Sequence, residues 1–314
     1  MSSFETAGLR VTEVAHPDEL RAELEHAGPE RPNMVQLTLD DDRRWEALRD
    51  PDLVVRPTWL HWVASASGGS AALVERQSPK QRRRSRTALS RLDRMTMEIS
   101  EPIDESRYDE WAELYSAQVK GMRLGHDFAA RYRSGTLAPD SPFLLVTWRE
   151  DGELAGGVVV RFDPELSALV TRFSAVAPGR RGAEIPRGMY LALADLAASR
   201  GMRWLSLGND INLYGTVTHP GLCAFKLRLG FRPVPGDLFG NSSCRTVAER
   251  LVDVRDMDLP VLRFEYAGPR EPDAELPDFI DGAQALRLVS VMPAGSGNAV
   301  LESLPDHRRI VLVP

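Results

Sequence analysis

The stretch Phe143-Leu144-Leu145-Val146-Thr147-Trp148-Arg149-Glu150-Asp151-Gly152-Glu153-Leu154-Ala155-Gly156-Gly157-Val158-Val159-Val160-Arg161-Phe162 reads as two apolar strands joined by a tight turn. Both runs have the hydrophobic density of central strands, and Asp151-Gly152 supplies residues that accept the backbone angles of a hairpin. A second turn at Asp163-Pro164 leads to another strand, Ala168 to Ser174. Downstream, Pro186 to Arg200 reads as a helix stopped by Gly201, with Met189, Leu191, Leu193, Ala194, Leu196 and Ala197 on its buried face. A strand from Arg203 to Leu207, a helix from Leu222 to Leu229 stopped by Gly230, and a strand from Phe231 onward complete the unit. The implied class is α/β.

Upstream of the hairpin, Ser78-Pro79 with Gln81 reads as a helix start, since Ser can cap, Pro suits the first turn and Gln completes a capping box. The helix should run from Pro79 to about Arg94. At about 100° per residue, Lys80, Arg83, Arg84, Arg91 and Arg94 share one stripe, and Ala88, Leu89, Leu92 and Met95 share another. A strand from Met95 to Ile99 follows, then an amphipathic helix from Asp104 to Lys120 with Trp111, Leu114, Tyr115 and Val119 on its apolar side, and a shorter helix over His126 to Arg133. The first 77 residues read as a small α/β portion with a strand from Met34 to Leu39, an acidic turn at Asp40 to Asp42, an aromatic segment Trp59 to Val63 and a loop from Ser65 to Ser70. Beyond Leu251 the strand candidates are Leu262 to Tyr266, Leu286 to Val291 and Ile310 to Val313, with Gly268 to Asp278 and Gly295 to Asn298 as loop and turn. The expected divisions are 1–77, a core over 78–250, and 251–314 extending it.

Composition narrows the class. The formal net charge is −6 and 43% of residues are hydrophobic, as in a globular protein. No apolar run approaches the roughly 18 residues of a membrane span, and Met1 to Arg10 has no signal-peptide pattern, so the cytoplasm is the expected location and no membrane partner is expected. The two cysteines, Cys223 and Cys244, have no metal-ligand spacing, so neither a disulfide framework nor a metal is expected. Charge is unevenly placed: seven basic residues lie between Lys80 and Arg94 against the single acid Asp93. That patch can meet phosphate even on an acidic protein.

The order hairpin, strand, helix, strand, helix, strand from Phe143 to Val234 resembles the core of the GCN5-related N-acetyltransferase fold. Gly152-Glu153-Leu154-Ala155-Gly156-Gly157, Val176-Ala177-Pro178 and Leu229-Gly230-Phe231 carry the likeness. It implies a mixed, mostly antiparallel and splayed sheet flanked by helices. In that fold a turn of pattern Val-x-Pro-x-x-Arg/Gln-x-x-Gly-x-Gly/Ala and the following helix N-terminus bind the pyrophosphate of coenzyme A. Here Val176, Pro178 and Arg181 match, but Glu184 and Pro186 stand at the two small positions. Glu184 adds negative charge, and Pro186 removes an N–H donor. Weak or absent acetyl-CoA binding is the expectation.

Where the usual acetyltransferase has a Tyr acid, four residues before the Gly-Phe pair, this chain has Lys226 within Phe225-Lys226-Leu227-Arg228-Leu229-Gly230-Phe231. This arrangement resembles the Fem-type branch, whose members transfer an amino acid from aminoacyl-tRNA to an amine and commonly carry a basic helix before the core. The resemblance implies Lys226, read as partly exposed, for oxyanion stabilisation. The polar run Asn209-Asp210-Ile211-Asn212-Leu213-Tyr214 leaves a strand end, and His219 follows it. Asp210 or His219 would assist amine deprotonation, with Asn209, Asn212, Tyr214 and Phe225 binding the acceptor. Lys80, Arg83, Arg84, Arg91, Arg94 and Arg181 are the phosphate or tRNA candidates. The plain structural alternatives are a Lys whose stem packs while its head reaches solvent, an ordinary Asn- and Asp-rich turn, and a solvated charge face.

Three function classes follow. The first is a ligase that takes an aminoacyl group from aminoacyl-tRNA, bound by its acceptor arm, and joins it to a small-molecule amine in a specialised metabolite or cell-wall precursor. The second is an N-acyltransferase using acyl-CoA or an acyl group on a carrier protein. The third is a non-catalytic binding protein. No tightly held cofactor is expected in the first.

Overall fold

The computed structural model describes residues 2–6, 9–25, 32–39, 53–122, 125–180, 184–216, 218–253, 261–268, 274–280, 282, 284–293 and 308–312. The chain forms two compact units, one of Met1–Trp62, Asn209–Leu227 and Arg232–Pro314, the other of Val63–Gly208 and Arg228–Phe231. The divisions expected at residues 77 and 250 do not coincide with them. The C-terminal stretch instead shares a unit with the N-terminal one, because strands far apart in sequence pair with each other.

In the first unit, β1 (Ser2–Thr6), β2 (Leu9–Val14), β3 (Met34–Leu39), β4 (Val54–Pro57) and β12 (Thr246–Leu251) make a five-stranded sheet of order β1-β2-β3-β12-β4. β2 and β3 are parallel, connected through helix α1 (Pro17–Glu25), and β12 lies antiparallel to both β3 and β4. A three-stranded sheet joins β13 (Val261–Tyr266) antiparallel to β14 (Leu286–Pro293), and β14 parallel to β15 (Arg308–Leu312). Leu9, Val11, Met34, Val54, Leu213, Leu251, Val261, Val289 and Val291 form one apolar cluster, so strands of both sheets are held by the same buried surface.

The second unit contains β10-β9-β8-β7-β6 of a seven-stranded sheet whose other two strands are β5 and β11. The strands are β5 (Trp59–Ser65), β6 (Thr96–Ser100), β7 (Phe143–Glu150), β8 (Glu153–Asp163), β9 (Ala168–Val176), β10 (Trp204–Ile211) and β11 (Arg232–Pro235). The boundary between units falls inside β5 and inside β10. The β7–β8 hairpin turns at Asp151 and Gly152, both with positive φ. β6 to β9 are antiparallel neighbours, and β9 pairs parallel to β10. The class is the expected one, mixed α/β with helix-flanked, mostly antiparallel sheet.

The ladder between β9 and β10 runs only from Trp204↔Ala168 to Ser206↔Val170, although both strands continue beyond it. Gly208 marks the departure. Its φ is +79°, and a Cβ there would lie 2.7 Å from the Thr171 carbonyl oxygen, so a side chain is excluded on both counts. The strand continues to Ile211, four residues past its expected end, and delivers Asn209 and Asp210 at its tip.

Helices α2 (Gly69–Glu75), α3 (Pro79–Leu92), α4 (Glu105–Lys120), the short α5 (Phe128–Arg131) and α6 (Arg133–Thr136), and α7 (Ile185–Ser199) belong to the second unit. Helix α8 (Pro220–Leu229) precedes β11, and α9 (Leu276–Ile280) precedes β14. The expected helix over His126 to Arg133 is thus two short ones, and part of the expected 65–70 loop is the start of α2. Asp104 caps α4, accepting from the Arg107 N–H at 3.1 Å. The capping box expected for α3 is not formed: Ser78 makes no side-chain cap bond, and Gln81 is buried with its Oε1 accepting from Arg187 at 3.0 Å. Buried Gln81, Ser85, Ala88 and Leu92 define the inner face of α3. There α3 packs on α7, where a Cβ on Gly188 would stand 3.0 Å from the Ala88 carbonyl oxygen. The expected turns at 40–42 and 295–298, and parts of the expected 268–278 loop, lie outside the described residues.

Candidate active site

The first unit holds a small polar cluster inside an aromatic surround. Trp62 comes from β5, Asp210 from β10, Tyr214 from the segment after it and Lys226 from α8. Asp210 Oδ2 accepts from three donors: Lys226 Nζ at 2.7 Å, Tyr214 Oη at 2.8 Å and Trp62 Nε1 at 2.9 Å. The same Trp62 N–H reaches Tyr214 Oη at 2.8 Å. Trp62, Tyr214 and Phe264 meet edge to face, with Trp62 and Phe264 ring centroids 5.4 Å apart, and Lys226 Nζ lies 5.6 Å from the Trp62 ring centroid.

Lys226 is 5% exposed, so it is a buried ammonium and not the partly exposed one the sequence suggests. An ammonium carries three donors, and one is bound to Asp210. The other two have no protein partner among the described residues, and neither has Asp210 Oδ1. Burial first, then the Asp210 carboxylate, hold the Tyr214 phenol well above its usual range, so Tyr214 is a fixed neutral donor. Burial, with the Asp210 charge adding to it, likewise pushes the Cys223 thiol up, which keeps this neighbour from being a thiolate nucleophile.

The other acceptor and base candidates separate. Asn212 is fully buried and binds backbone alone, Nδ2 donating to Pro57 O at 2.9 Å and Phe264 O at 2.8 Å, with Oδ1 accepting from Phe264 N at 2.8 Å. It joins chain segments and is not placed to orient a ligand. His219 is exposed, and its Nδ1 accepts the Gly221 N–H at 3.0 Å, which leaves the proton on Nε2 and no free acceptor for a general base. Asp210 Oδ2, occupied by three donors, anchors Lys226 and is not open to a proton. Asn209 is exposed and Phe225 half-buried. Trp62 and Phe264 were missed as site residues. A Trp inside the apolar run Trp59 to Val63 was the available signal, because a buried indole N–H requires an acceptor.

The phosphate candidates also divide, all within the second unit. Glu184 adopts φ +66° at the start of α7, and its Oε1 accepts from Arg84 Nε at 2.8 Å and Nη2 at 2.5 Å. Its Oε2 accepts from Arg187 Nε at 3.0 Å. Arg187, 2% exposed, also donates to Ser85 Oγ at 3.1 Å and Gln81 Oε1 at 3.0 Å, and Ser85 donates to Gln77 Oε1 at 2.6 Å. The carboxylate that replaces a Gly of the phosphate-turn pattern is therefore bracketed by two guanidinium groups, and Arg84 is tied to it. Lys80, Arg83 and Arg94 are exposed and Arg91 half-buried, without ion pairs among the described residues. A surface depression of about 580 Å³ is lined by Pro79, Arg82, Arg83, Arg86, Thr87 and Ser90. Arg82 and Arg86 pair with exposed Glu75 at 3.0 and 2.9 Å. Arg181 lies outside the described residues.

No family model matches this sequence, and no curated protein does. Among solved structures, FemX is similar at 15% identity over 69% of this chain and 74% of that one, with a TM-score of 0.46. L-PGS from Bacillus licheniformis is similar at 11% identity over 71% and 69%, with a TM-score of 0.41. A ribosomal-protein-alanine N-acetyltransferase from Brucella melitensis biovar Abortus 2308 is similar at 22% identity over 34% and 74%, with a TM-score of 0.26. At these scores the likenesses carry no argument about this chain's chemistry, which rests on its own residues. No helix among the described residues is long and apolar enough to cross a membrane, and no group of three or more His, Cys, Asp or Glu there is placed to hold a metal ion.

Proposed function

We propose that this protein is an amide-forming acyltransferase that moves an aminoacyl group from aminoacyl-tRNA to a small-molecule amine. The observation that carries this reading is the buried Lys226 ammonium, fixed by Asp210 and backed by the Trp62 ring, with two donors left for a ligand. Attack of a neutral amine on the donor ester forms a tetrahedral intermediate whose oxyanion accepts from Lys226. Asp210 Oδ1 accepts an N–H of the incoming amine and orients it. Collapse breaks the ester C–O bond, leaving a C–N bond, and the departing tRNA hydroxyl oxygen gains the proton that the amine loses. Charge in a partly dry site acts more strongly than in water, and Asp210 keeps the ammonium in place so that little reorganisation is needed. The exposed arginines of α3 are the phosphate contacts of this reading.

Glu184, already neutralised by Arg84 and Arg187, disfavours the acyl-CoA alternative because that corner of α7 is occupied by the protein's own carboxylate. The test is transfer of label from tRNA charged with a mixture of radiolabelled amino acids to a panel of small amines. Transfer is expected, and Lys226→Met should reduce it about 10²-fold, the effect of removing one oxyanion donor. Turnover with acyl-CoA in place of charged tRNA would overturn the donor. A Lys226→Met protein with normal turnover would overturn the role of Lys226.

A further inference from the structure

The second unit contains an arginine with an unusual setting. β8 and β9 pair as Val159↔Phe173 and then Val160↔Thr171, so Arg172 is an extra residue with no partner across the ladder. Such a bulge re-aims a side chain. The Arg172 guanidinium carbon lies 5.1 Å from the Tyr132 ring centroid and 5.2 Å from each of the Phe143 and Phe173 centroids. Three rings from three elements therefore converge on one cation, and the side chain is still exposed.

Ring faces satisfy the charge but not the donors. A guanidinium has five N–H groups in a planar fork, and Arg172 has no hydrogen-bond or carboxylate partner among the described residues. The titratable groups acting on it are Arg161, Tyr132 and Tyr108, with no carboxylate among them. Its basic neighbour Arg161 is paired with Asp163 at 3.1 Å, and Arg131 sits over Tyr132 at 5.5 Å. The nearest carboxylates on the packed elements are likewise committed: Asp127 to Ser116 and to the Ala130 N–H, and Glu105 and Asp109 to Arg133. Beside the fork, Phe128 and Tyr132 are 37% and 41% exposed and stack with centroids 6.2 Å apart at 25°. Large aromatics exposed as a pair next to an unpaired cation describe a surface with both an anion anchor and a flat apolar shelf.

We propose that Arg172 with Phe128, Tyr132, Phe143 and Phe173 is a binding site for a small carboxylate carried on an aromatic or other planar apolar body. The Arg172 guanidinium presents one planar fork that matches one delocalised monoanionic carboxylate in bidentate geometry, and its basic strand neighbour Arg161 is held by Asp163. The exposed rings take the planar body. This site is independent of the transfer reading above.

The test uses 3-phenylpropionate as the probe, with 3-phenylpropanol, acetate and phenyl phosphate as the uncharged, ring-free and phosphate comparisons, titrated by calorimetry into the full chain. Saturable binding of 3-phenylpropionate is expected, with the alcohol, acetate and phenyl phosphate each at least about tenfold weaker. Arg172→Met should remove most of that affinity, and Tyr132→Ala should weaken it several-fold. Because Arg172→Met also loses the ring contacts, Arg172→Lys serves as the second variant: it keeps the charge over the rings and loses the fork, and should bind at least threefold more weakly while folding normally by circular dichroism. Equal affinity in Arg172→Lys, equal affinity for 3-phenylpropanol, or no binding of 3-phenylpropionate would overturn the proposal. Tighter binding of phenyl phosphate would overturn the assignment to a carboxylate.

Discussion

Two buried acid-base groups in the first unit look alike in composition and differ in how completely they are closed. Glu249 on β12 is fully buried between Arg56 of β4 and Arg263 of β13, which are 2% and 1% exposed. Arg56 donates to its Oε2 at 2.6 Å and Arg263 to its Oε1, so both carboxylate oxygens are engaged. Asp210 places three donors on one oxygen and leaves the other open, with 13% of its side chain exposed. The Glu249 group ties strands together, since its three members come from residues far apart in sequence. The Asp210 group holds a cation whose remaining hydrogen bonds are unfilled among the described residues. Unfilled donors and acceptors in a partly accessible setting separate a candidate for chemistry from a structural tie.

The largest test of that contrast is Glu249→Gln. It removes the carboxylate that Arg56 and Arg263 both pair with, and removing one partner of a buried ion pair costs about 3–5 kcal/mol. Urea unfolding should show that loss. Burial alone would raise the Glu249 carboxyl, but Arg56 and Arg263 outweigh it and hold it below its ordinary 4.5. A carboxyl depressed in the folded state contributes stability that is present above the ordinary value and is lost as pH falls through the folded one. Stability of the parent protein should therefore drop below about pH 4.5, and the glutamine protein should lose that part of the slope. An unchanged pH profile would mean that Glu249 is not the structural tie described.

Asp210→Asn comes next in size and should behave differently. Asp210 faces one cation where Glu249 faces two, and its side chain is 13% exposed where that of Glu249 is fully buried, so the cost in stability should stay near 1–3 kcal/mol, about that of one charged hydrogen bond. Transfer activity should nevertheless fall about tenfold or more, because Lys226 loses the group that fixes it. A stability loss equal to that of Glu249→Gln with unchanged turnover would erase the distinction between the two groups.

Much of this was legible along the chain, and the part that was not shares one cause. The Asp151-Gly152 hairpin, the strand after Asp163-Pro164 and the helices of residues 79–92, 105–120 and 185–199 follow from local signals: turn residues, apolar period and caps. Lys226 and Asp210 each stand out in the sequence. Their pairing is not legible there, because it is set by β10 continuing past Gly208 while α8 returns sixteen residues later, a property of tertiary path. The use of Gln81 shows the same limit. Its place three residues after Ser78 favours a capping box, yet a buried guanidinium on α7 outcompetes that local bond, since a buried Arg187 N–H left unfilled would cost more than an uncapped N–H that water can reach. Joining 1–62 with 232–314 in one unit rests on β12 entering between β3 and β4, which no periodicity within residues 246–251 announces.

The smallest effect applies the same contrast to the basic helix. Arg84 and Arg83 are adjacent in sequence and equal in charge, but Arg84 is bound to Glu184 and Arg83 faces the depression with no acid partner among the described residues. Lys80 is exposed and likewise unpaired there. If α3 meets RNA phosphates, the unpaired cations release counterions on binding while a cation already matched by a carboxylate releases few. Replacing Lys80 and Arg83 together with alanine should lower the slope of log affinity against log salt by about 0.7–0.9 per charge, whereas Arg84→Ala should lower it by much less. The measurement is titration of a tRNA pool at several salt concentrations, with circular dichroism to confirm folding. Arg84→Ala also frees Glu184, so its residual effect should appear as a modest loss of stability from the α3–α7 contact and not as a change in slope. Equal slope changes in the two proteins would show that the pairing with Glu184 does not hold in solution, and a parent protein that ignores RNA at low salt would leave the depression without this partner.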